Sequence, residues 1–522
     1  MARASLLLLC LFQMAATFAY VVQHGRLSIV PMFDDVAYLV DGLGRYATIQ
    51  TGGLAGLIAS FGTTVAHAPL TSMISALGLL LSWPEPWGPY LISTLWIPVS
   101  ALLLWRILDG VPEWSRFGVI AAVLAAPIFG MSIAEFRPDV GWGLLTGLSI
   151  ALLACVDLST IRRVEALTLG ALVGLAAIAK PSALPATLSV LGVAALAQTL
   201  VPVLIGKVRF RQSAKGLIFV IIGAAIVSAP YLIVSWQHIV NYIIEVAFSN
   251  NDVWKTKGTF YQQIKFYLTY GVAWNMLGWM WYIWWPTLIL GAATLAWRRD
   301  WLSLMRFSGL LLAVFVAYLF SGISGVKSML IGSLVYGCII ASTVWAAGAF
   351  LKSVRIVPSG LVAAAGLVVF SVFWTPVVGM IHNTDPRIAA TDAANRSTYP
   401  FVAQAMKKVT GRVPVIFLVA PEPIYDATLQ YYALIAGING RFVNGTTWSE
   451  WNLFDSAIDT SDVIIVQEPG IAGQNLSFDF PSFRFQQAAI DKLSADQSFS
   501  GQKTYTDDDG KSVWVFIRSS KP

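Results

Sequence analysis

Residues 31–46 read PMFDDVAYLVDGLGRY. Asp34 and Asp35 adjoin each other directly after the first apolar run, and Asp41 follows two helical turns on. At helical period, Asp34, Tyr38, Asp41 and Arg45 share one face, while Val36, Leu39, Val40 and Leu43 favour another. The pattern predicts an amphipathic helix along a membrane surface with its acidic edge raised. Two like charges side by side repel unless something cationic compensates. The pair therefore reads either as a solvated helix edge or as a site that needs a base or a cation.

The surroundings set the class of protein. The chain has 522 residues, 57% hydrophobic and 12% charged, with a mean hydropathy of +0.68. Soluble domains carry roughly 25% charged residues. The expected fold is a polytopic α-helical membrane protein over residues 1–382, followed by a soluble α/β domain over 383–522. Residues 1–382 hold 22 Lys and Arg against 13 Asp and Glu, whereas the tail holds 12 against 15. The basic balance thus comes from residues that flank spans, and no soluble basic stripe offers itself to nucleic acid. Cys10, Cys155 and Cys338 are scattered through apolar runs, with no disulfide framework or metal-ligand spacing.

Candidate spans cover 4–22, 68–83, 90–106, 116–134, 140–156, 166–205, 216–236, 276–297, 303–321, 328–350 and 359–381. Lys180-Pro181 and Pro185 interrupt 166–205, which is one broken span or two short ones, for a total of about 11–13 spans. Lys and Arg in 206–216, 297–300 and 351–355, together with Arg3, mark the cytoplasmic side. The N terminus is then cytoplasmic, on an uncleaved first helix. Outer loops are expected at 23–67 and 237–275, with the tail also outside. On this path the loop at 106–116 falls outside despite Arg106 and Arg116. Arg137 and Asp139 fall on the cytoplasmic side, away from Asp34.

In the tail, 413–420, 462–468 and 512–518 read as strands, with helical patterns between them. A small domain with a partly parallel sheet is expected. It carries no nucleotide-binding glycine fingerprint and no Ser-His-Asp set.

Four stretches carry a resemblance. FDDVAYLVD resembles the Asp-[Asp/Glu]-x-x-Tyr element in the first outer loop of the GT-C glycosyltransferases, in the branch of protein O-mannosyltransferases and aminoarabinose (lipid A) transferases. AHAPLTSMISALGLLL (66–81), AEFRPDVGWGLLTGLSIALL (134–153) and GALVGLAAIAKPSALPATL (170–188) are similar to that branch's next landmarks, in its order. Two departures stand out. Ala68 replaces the first Pro of a His-Pro-Pro pattern, and Tyr90 stands near the place of an arginine.

The resemblance implies an inverting transfer of a sugar from a polyprenyl-phosphate donor to a hydroxyl of an envelope acceptor: lipopolysaccharide, cell-wall glycan or protein. A hydroxyl needs a base, and Asp34 matches the leading Asp. Asp35 is the second catalytic candidate, as tuner, acceptor contact or cation holder. The leaving phosphate has a second pKa of about 6 and departs without a protonating acid, but it needs positive charge. Lys255 and Lys257, among aromatic residues, are candidates for that contact. So are Lys180, an intramembrane lysine, and His67. Tyr38 and Asp41 read as structural, and Arg137 with Asp139 as a lock. Adjacent carboxylates suit Mg²⁺ or Mn²⁺, yet no full ligand set accompanies them, and no required cofactor is expected. The alternatives are a transporter or flippase of a lipid-linked glycan, whose ionisable residues would sit mid-membrane within repeats, and a membrane-anchored envelope sensor or scaffold.

Overall fold

The apolar runs become helices, and their burial separates lipid-facing from interior elements. The computed structural model describes residues 1–63, 68–244, 255–256, 258–354, 357–374, 386–474 and 480–519. Helix α1 (Ala2–Gln23) opens the chain, and α2 (Phe33–Thr63) carries the acidic stretch. Inside α2, Gly53 has φ 60° and ψ −148°, a left-handed kink that a residue without Cβ makes cheaply. Helices α3 (Pro69–Ser82), α4 (Trp87–Ser93), α5 (Trp96–Ile107), α6 (Glu113–Leu124), α7 (Ile128–Ala134), α8 (Pro138–Cys155), α9 (Arg163–Ala179), α10 (Leu184–Leu204) and α11 (Phe210–Ile244) follow. Then come α12 (Phe260–Lys265), α13 (Tyr270–Leu277), α14 (Met280–Trp297), α15 (Trp301–Ile323), α16 (Ser333–Ser353) and α17 (Ser359–Phe373). Seven helical segments among the described residues are long and apolar enough to cross a membrane. The protein is a multi-pass membrane protein.

Helices α8 and α16 form the centre, buried on nearly every side. Small residues let their backbones meet: a Cβ on Gly147 would lie 2.2 Å from the Gly337 backbone. Helices α10, α11, α14 and α15 instead expose Leu188, Ile226, Ile289 and Phe315, apolar side chains that lipid covers.

The path is corrected at α3, and at 166–205 one of the two alternatives is selected. Helix α3 has 14 residues, about 21 Å, too short for a hydrocarbon core of about 30 Å. Near its start Ser72 Oγ donates to Asp41, and just past its end Tyr431 Oη of the tail donates to the Pro84 carbonyl at 3.5 Å. Both ends lie on the Asp34 side, so 68–83 is not a crossing. Residues 166–205 form α9 and α10, joined at Lys180-Pro181: α9 runs from the Arg106 end, where Glu165 lies 3.9 Å from Arg106, to Lys180 beside Asp139, and α10 runs back. Counting α3 as a span and counting 166–205 as a single one offset each other from residue 206 onward, whereas the alternative of two short spans agrees with α9 and α10. Counting α3 as a span inverts 106–166. The loop at 106–116 therefore lies at the end opposite Asp34, where Arg106, Arg298 and Lys352 share one cavity. This removes its conflict with the other basic loops.

The tail begins with α18 (Pro386–Lys408); the boundary expected at 382/383 lies outside the described residues. It adds β1 (Val415–Leu418), α19 (Asp426–Ile435), β2 (Arg441–Asn444), α20 (Trp451–Thr460), β3 (Val463–Gln467), α21 (Gln486–Ala495), β4 (Phe499–Thr506) and β5 (Ser512–Arg518). Strand order is β2-β1-β3-β5-β4. β1 runs parallel to β2 and β3, and β5 is antiparallel to β3 and β4. Alternation sorts the faces: Ile416, Leu418 and Val515 pack with Ala405 and Leu429, while Phe417, Ile464 and Phe516 pack with Phe454 and Leu493.

The tail seats on the segment just before Asp34. Val30 N donates to Asp392 Oδ1 at 2.8 Å, and Thr428 Oγ1 donates to the Pro31 carbonyl at 2.7 Å. Ile29, Val30 and Met32 share a small core with Ile388.

Candidate active site

Consecutive helical residues point about 100° apart, and this separates the two carboxylates. Asp34 is 61% exposed, with Oδ2 2.6 Å from Arg137 Nη2. Its Oδ1 has no hydrogen bond or ion pair among the described residues. Asp35 is 1% exposed. Its Oδ2 accepts from Tyr90 Oη at 3.0 Å and from the Phe136 N–H at 2.9 Å, and lies 3.2 Å from Arg26 Nε. Arg26 also holds Glu135 at 2.5 Å. The adjacency in the sequence is thus not adjacency in space: each carboxylate has its own cation.

Arg137 reaches in two directions, since its Nε lies 3.4 Å from Asp139 Oδ2. Asp139, 2% exposed, also accepts from Lys180 Nζ. Lys180 sits 5.3 Å from the centre of the Trp142 ring. The break at Lys180-Pro181 is what places the ammonium here, at the junction of α9 and α10. A continuous line therefore runs from Asp34 through Arg137 and Asp139 to Lys180. Arg137 and Asp139, expected at the far end, stand beside Asp34, because α8 starts on this side. The Arg137 guanidinium is held charged by Asp34 and Asp139 despite burial, which favours the neutral form.

Glu135 is 3% exposed. Burial pushes its carboxyl up, Asp35 adds to this, and Arg26 and Arg137 oppose it. Burial, with Asp139 and Asp34 nearby, drives the Tyr38 hydroxyl well up, so it stays neutral.

The face of α2 is not raised as a whole. Tyr38 is buried, and Arg45 is 0% exposed. Arg45 lies 3.6 Å from Asp41, donates to Ser60 Oγ at 2.8 Å, and sits 3.9 Å from the Phe61 ring centre. Arg45 thus ties the two halves of α2 together across the Gly53 kink, Asp41 accepts from Ser72 of α3, and Asp34 marks where the polar edge opens.

Lys255 is exposed. His67 and Lys257 lie outside the described residues. Beside Lys255, Thr256 N–H donates to the Gly325 carbonyl at 3.0 Å, and Thr256 Oγ1 accepts from Lys327 N–H at 3.0 Å. Lys327 Nζ donates to the carbonyls of Ser321 and Gly322, each at 2.7 Å, and stands 5.4 Å from the Tyr267 ring centre. Burial lowers its pKa to about 8. Sequence reading missed Arg26, Glu135 and Lys327. The scarcity of acidic residues in the membrane part was a signal for Glu135; Arg26 and Lys327 resemble ordinary span-flanking cations. Among the described residues no group of three or more His, Cys, Asp or Glu is placed to hold a metal ion.

Solved structures share this arrangement of helices and tail. ArnT from Cupriavidus metallidurans in the apo state is 13% identical, covers 98% of this chain and 98% of its own, and superposes with a TM-score of 0.59. The chain shares its fold with ArnT. ArnT from the same organism bound to undecaprenyl phosphate gives 12% identity, 99% and 98% coverage, and a TM-score of 0.57. The arabinofuranosyltransferase AftD from Mycobacteria is 14% identical, with 100% of this chain on 40% of that one and a TM-score of 0.54. No protein-family model and no curated protein sequence matches the chain. Within this shared fold, the exposed carboxylate, its arginine and the lysine at the helix break all lie on the side where the tail seats.

Proposed function

We propose that this protein is an inverting glycosyltransferase. It moves a sugar from a polyprenyl-phosphate donor to a hydroxyl of an envelope acceptor (lipopolysaccharide, cell-wall glycan or protein). The reaction takes place on the outer membrane face, with the N terminus cytoplasmic and the tail outside. The observation that carries this reading is Asp34: an exposed carboxylate with one oxygen fixed by Arg137 at 2.6 Å and no hydrogen bond or ion pair to the other among the described residues.

An acceptor hydroxyl gives its proton to Asp34 Oδ1 as its oxygen attacks the anomeric carbon. Arg137 sets the carboxylate's orientation. The bond from the anomeric carbon to the phosphate oxygen breaks, and the phosphate leaves as an anion. Two carboxylates flanking the bond, the arrangement of a glycosidase, are not needed. Asp35, turned inward to Arg26, Tyr90 and Phe136, does not serve as a second one beside Asp34. Asp35 acts as a positioning residue, tying α2 to Arg26, Tyr90 and Phe136. Positive charge for the phosphate comes from Lys180 and Lys327, with Lys255, Lys257 and His67 as further candidates. These cations take the place of a metal. The undecaprenyl phosphate bound by ArnT supports a lipid-phosphate carrier as the donor class.

The test is transfer by purified protein from polyprenyl-phosphate sugars to envelope extracts, followed by mass spectrometry. Asp34→Asn is expected to lower kcat by about 100-fold or more while donor binding persists. Unchanged transfer by Asp34→Asn overturns the reading.

A further inference from the structure

We propose that the cavity at the end of the molecule opposite Asp34 binds a phosphate-bearing anion, supplied by the headgroup of an acidic phospholipid. The cavity measures about 580 Å³ and lies among α5, α8, α14, α15 and α16. Arg106, Arg298, Arg306 and Lys352 line it, against Asp109 and Asp300, an excess of two positive charges. Its remaining wall includes Leu295 and Trp345, an apolar surface beside the charges.

The cations are incompletely used within the protein. The Arg306 side chain is 12% exposed, and its closest carboxylate, Asp157, stands 3.7 Å away, beyond hydrogen-bond reach. Its Nε and Nη2 are buried without an acceptor. A buried guanidinium left this way is costly, and negative charge in the cavity offsets that cost. Arg298 donates to a neutral partner, Ser353 Oγ, at 3.1 Å. Lys352 is exposed, has no carboxylate partner among the described residues, and runs beside Gly110, 3.3 Å from where a Cβ would stand. Arg106 is shared between Asp109 at 3.0 Å and Glu165 at 3.9 Å.

Position selects the source of the anion. Trp297 and Trp301 bracket Arg298 and Asp300 in the α14–α15 turn, 84% and 58% exposed. Exposed tryptophans at helix ends mark the headgroup layer. A basic cavity between helices at that depth is the geometry in which anionic headgroups are held. None of its residues belongs to the Asp34 network, so the site stands or falls independently of the proposed transfer.

The experiment is native mass spectrometry of the full-length protein released from micelles containing phosphatidylglycerol or phosphatidylcholine. The wild type is expected to retain phosphatidylglycerol selectively. In Arg298→Gln/Lys352→Gln, changes at two exposed residues that leave the core intact, binding weakens about 25-fold, at roughly fivefold per basic residue. Lys207→Gln/Arg211→Gln removes the same charge from the same end and keeps wild-type retention. Inorganic phosphate at matched charge is the second arm. Its binding with the same dependence on Arg298 and Lys352, without lipid retention, assigns the site to a soluble phosphate and overturns the lipid source. Equal retention by the wild type and Arg298→Gln/Lys352→Gln, or equal loss in the Lys207→Gln/Arg211→Gln control, overturns the proposal.

Discussion

Arg26→Met isolates the least visible part of the candidate site. Arg26 is 6% exposed and serves Asp35 (1%) and Glu135 (3%). Methionine keeps most of the volume, so the loss is electrostatic. Glu135 loses its 2.5 Å partner. Asp35 keeps Tyr90 and the Phe136 N–H on Oδ2, but its buried Oδ1 already lacks a hydrogen bond. Removing one member of a buried ion-paired set costs about 3–5 kcal/mol, because a charge stays buried without compensation. The pH dependence has a definite sign. Burial and Asp35 already raise Glu135 against the pull of Arg26, and removing the guanidinium raises it further. A carboxyl raised in the folded state favours the folded form below its unfolded pKa of about 4.3. That contribution is lost as pH rises through the folded value. The deficit of Arg26→Met should therefore narrow in acid and widen toward neutral pH. The assay is denaturant unfolding in micelles followed by tryptophan fluorescence between pH 4 and 8. Adding Glu135→Gln to Arg26→Met should recover about 2 kcal/mol at neutral pH, a coupling within the range for contacting groups. A loss below about 1 kcal/mol, or no recovery in the double variant, refutes the account of a shared buried cation.

Three other outcomes are expected. Chelator should leave transfer unchanged, and restoration of a chelator-sensitive rate by Mg²⁺ or Mn²⁺ would contradict a cation set made of lysines. If Lys327 neutralises the departing phosphate, transfer should fall as pH rises through about 8, where its ammonium is lost; Lys327→Arg should flatten that limb, and an identical profile rules Lys327 out. Asp392→Ala removes the charged acceptor of the Val30 N–H, a bond of about 1.5–3 kcal/mol; exchange of that amide should speed up at least about tenfold, and an unchanged rate would mean the tail does not hold the segment before Asp34.

The membrane class and the tail's sheet were readable because they rest on repeated local signals. Long apolar runs and alternating strands survive whatever packs on them. The edge strands at 441–444 and 499–506 escaped notice. Arg441, Gln502 and Lys503 lie within them, and edge strands gain from being polar. The path across the membrane was harder. Hydropathy scores α3 as it scores a span, although a 14-residue helix against α2 need not cross. That single miscount displaced Arg137 and Asp139 to the wrong end. At the candidate site, Asp34 stands out because it breaks the apolar pattern. Its relation to Arg137 crosses more than 100 residues of chain and leaves no periodic trace. Asp35 was paired with Asp34 by proximity along the chain, whereas helical geometry turns it into the interior.

The seat between the tail and residues 29–32 has a consequence in time. Val30 waits for Asp392, 362 residues later, and Pro31 for Thr428, 397 residues later. At about 5–20 residues per second, synthesis leaves the stretch before Asp34 without its tail contacts for roughly 20–80 s. A half-made chain already threaded through the bilayer thus carries its acidic stretch unanchored, and a segment made 362–397 residues later is what fixes the first part of its candidate site.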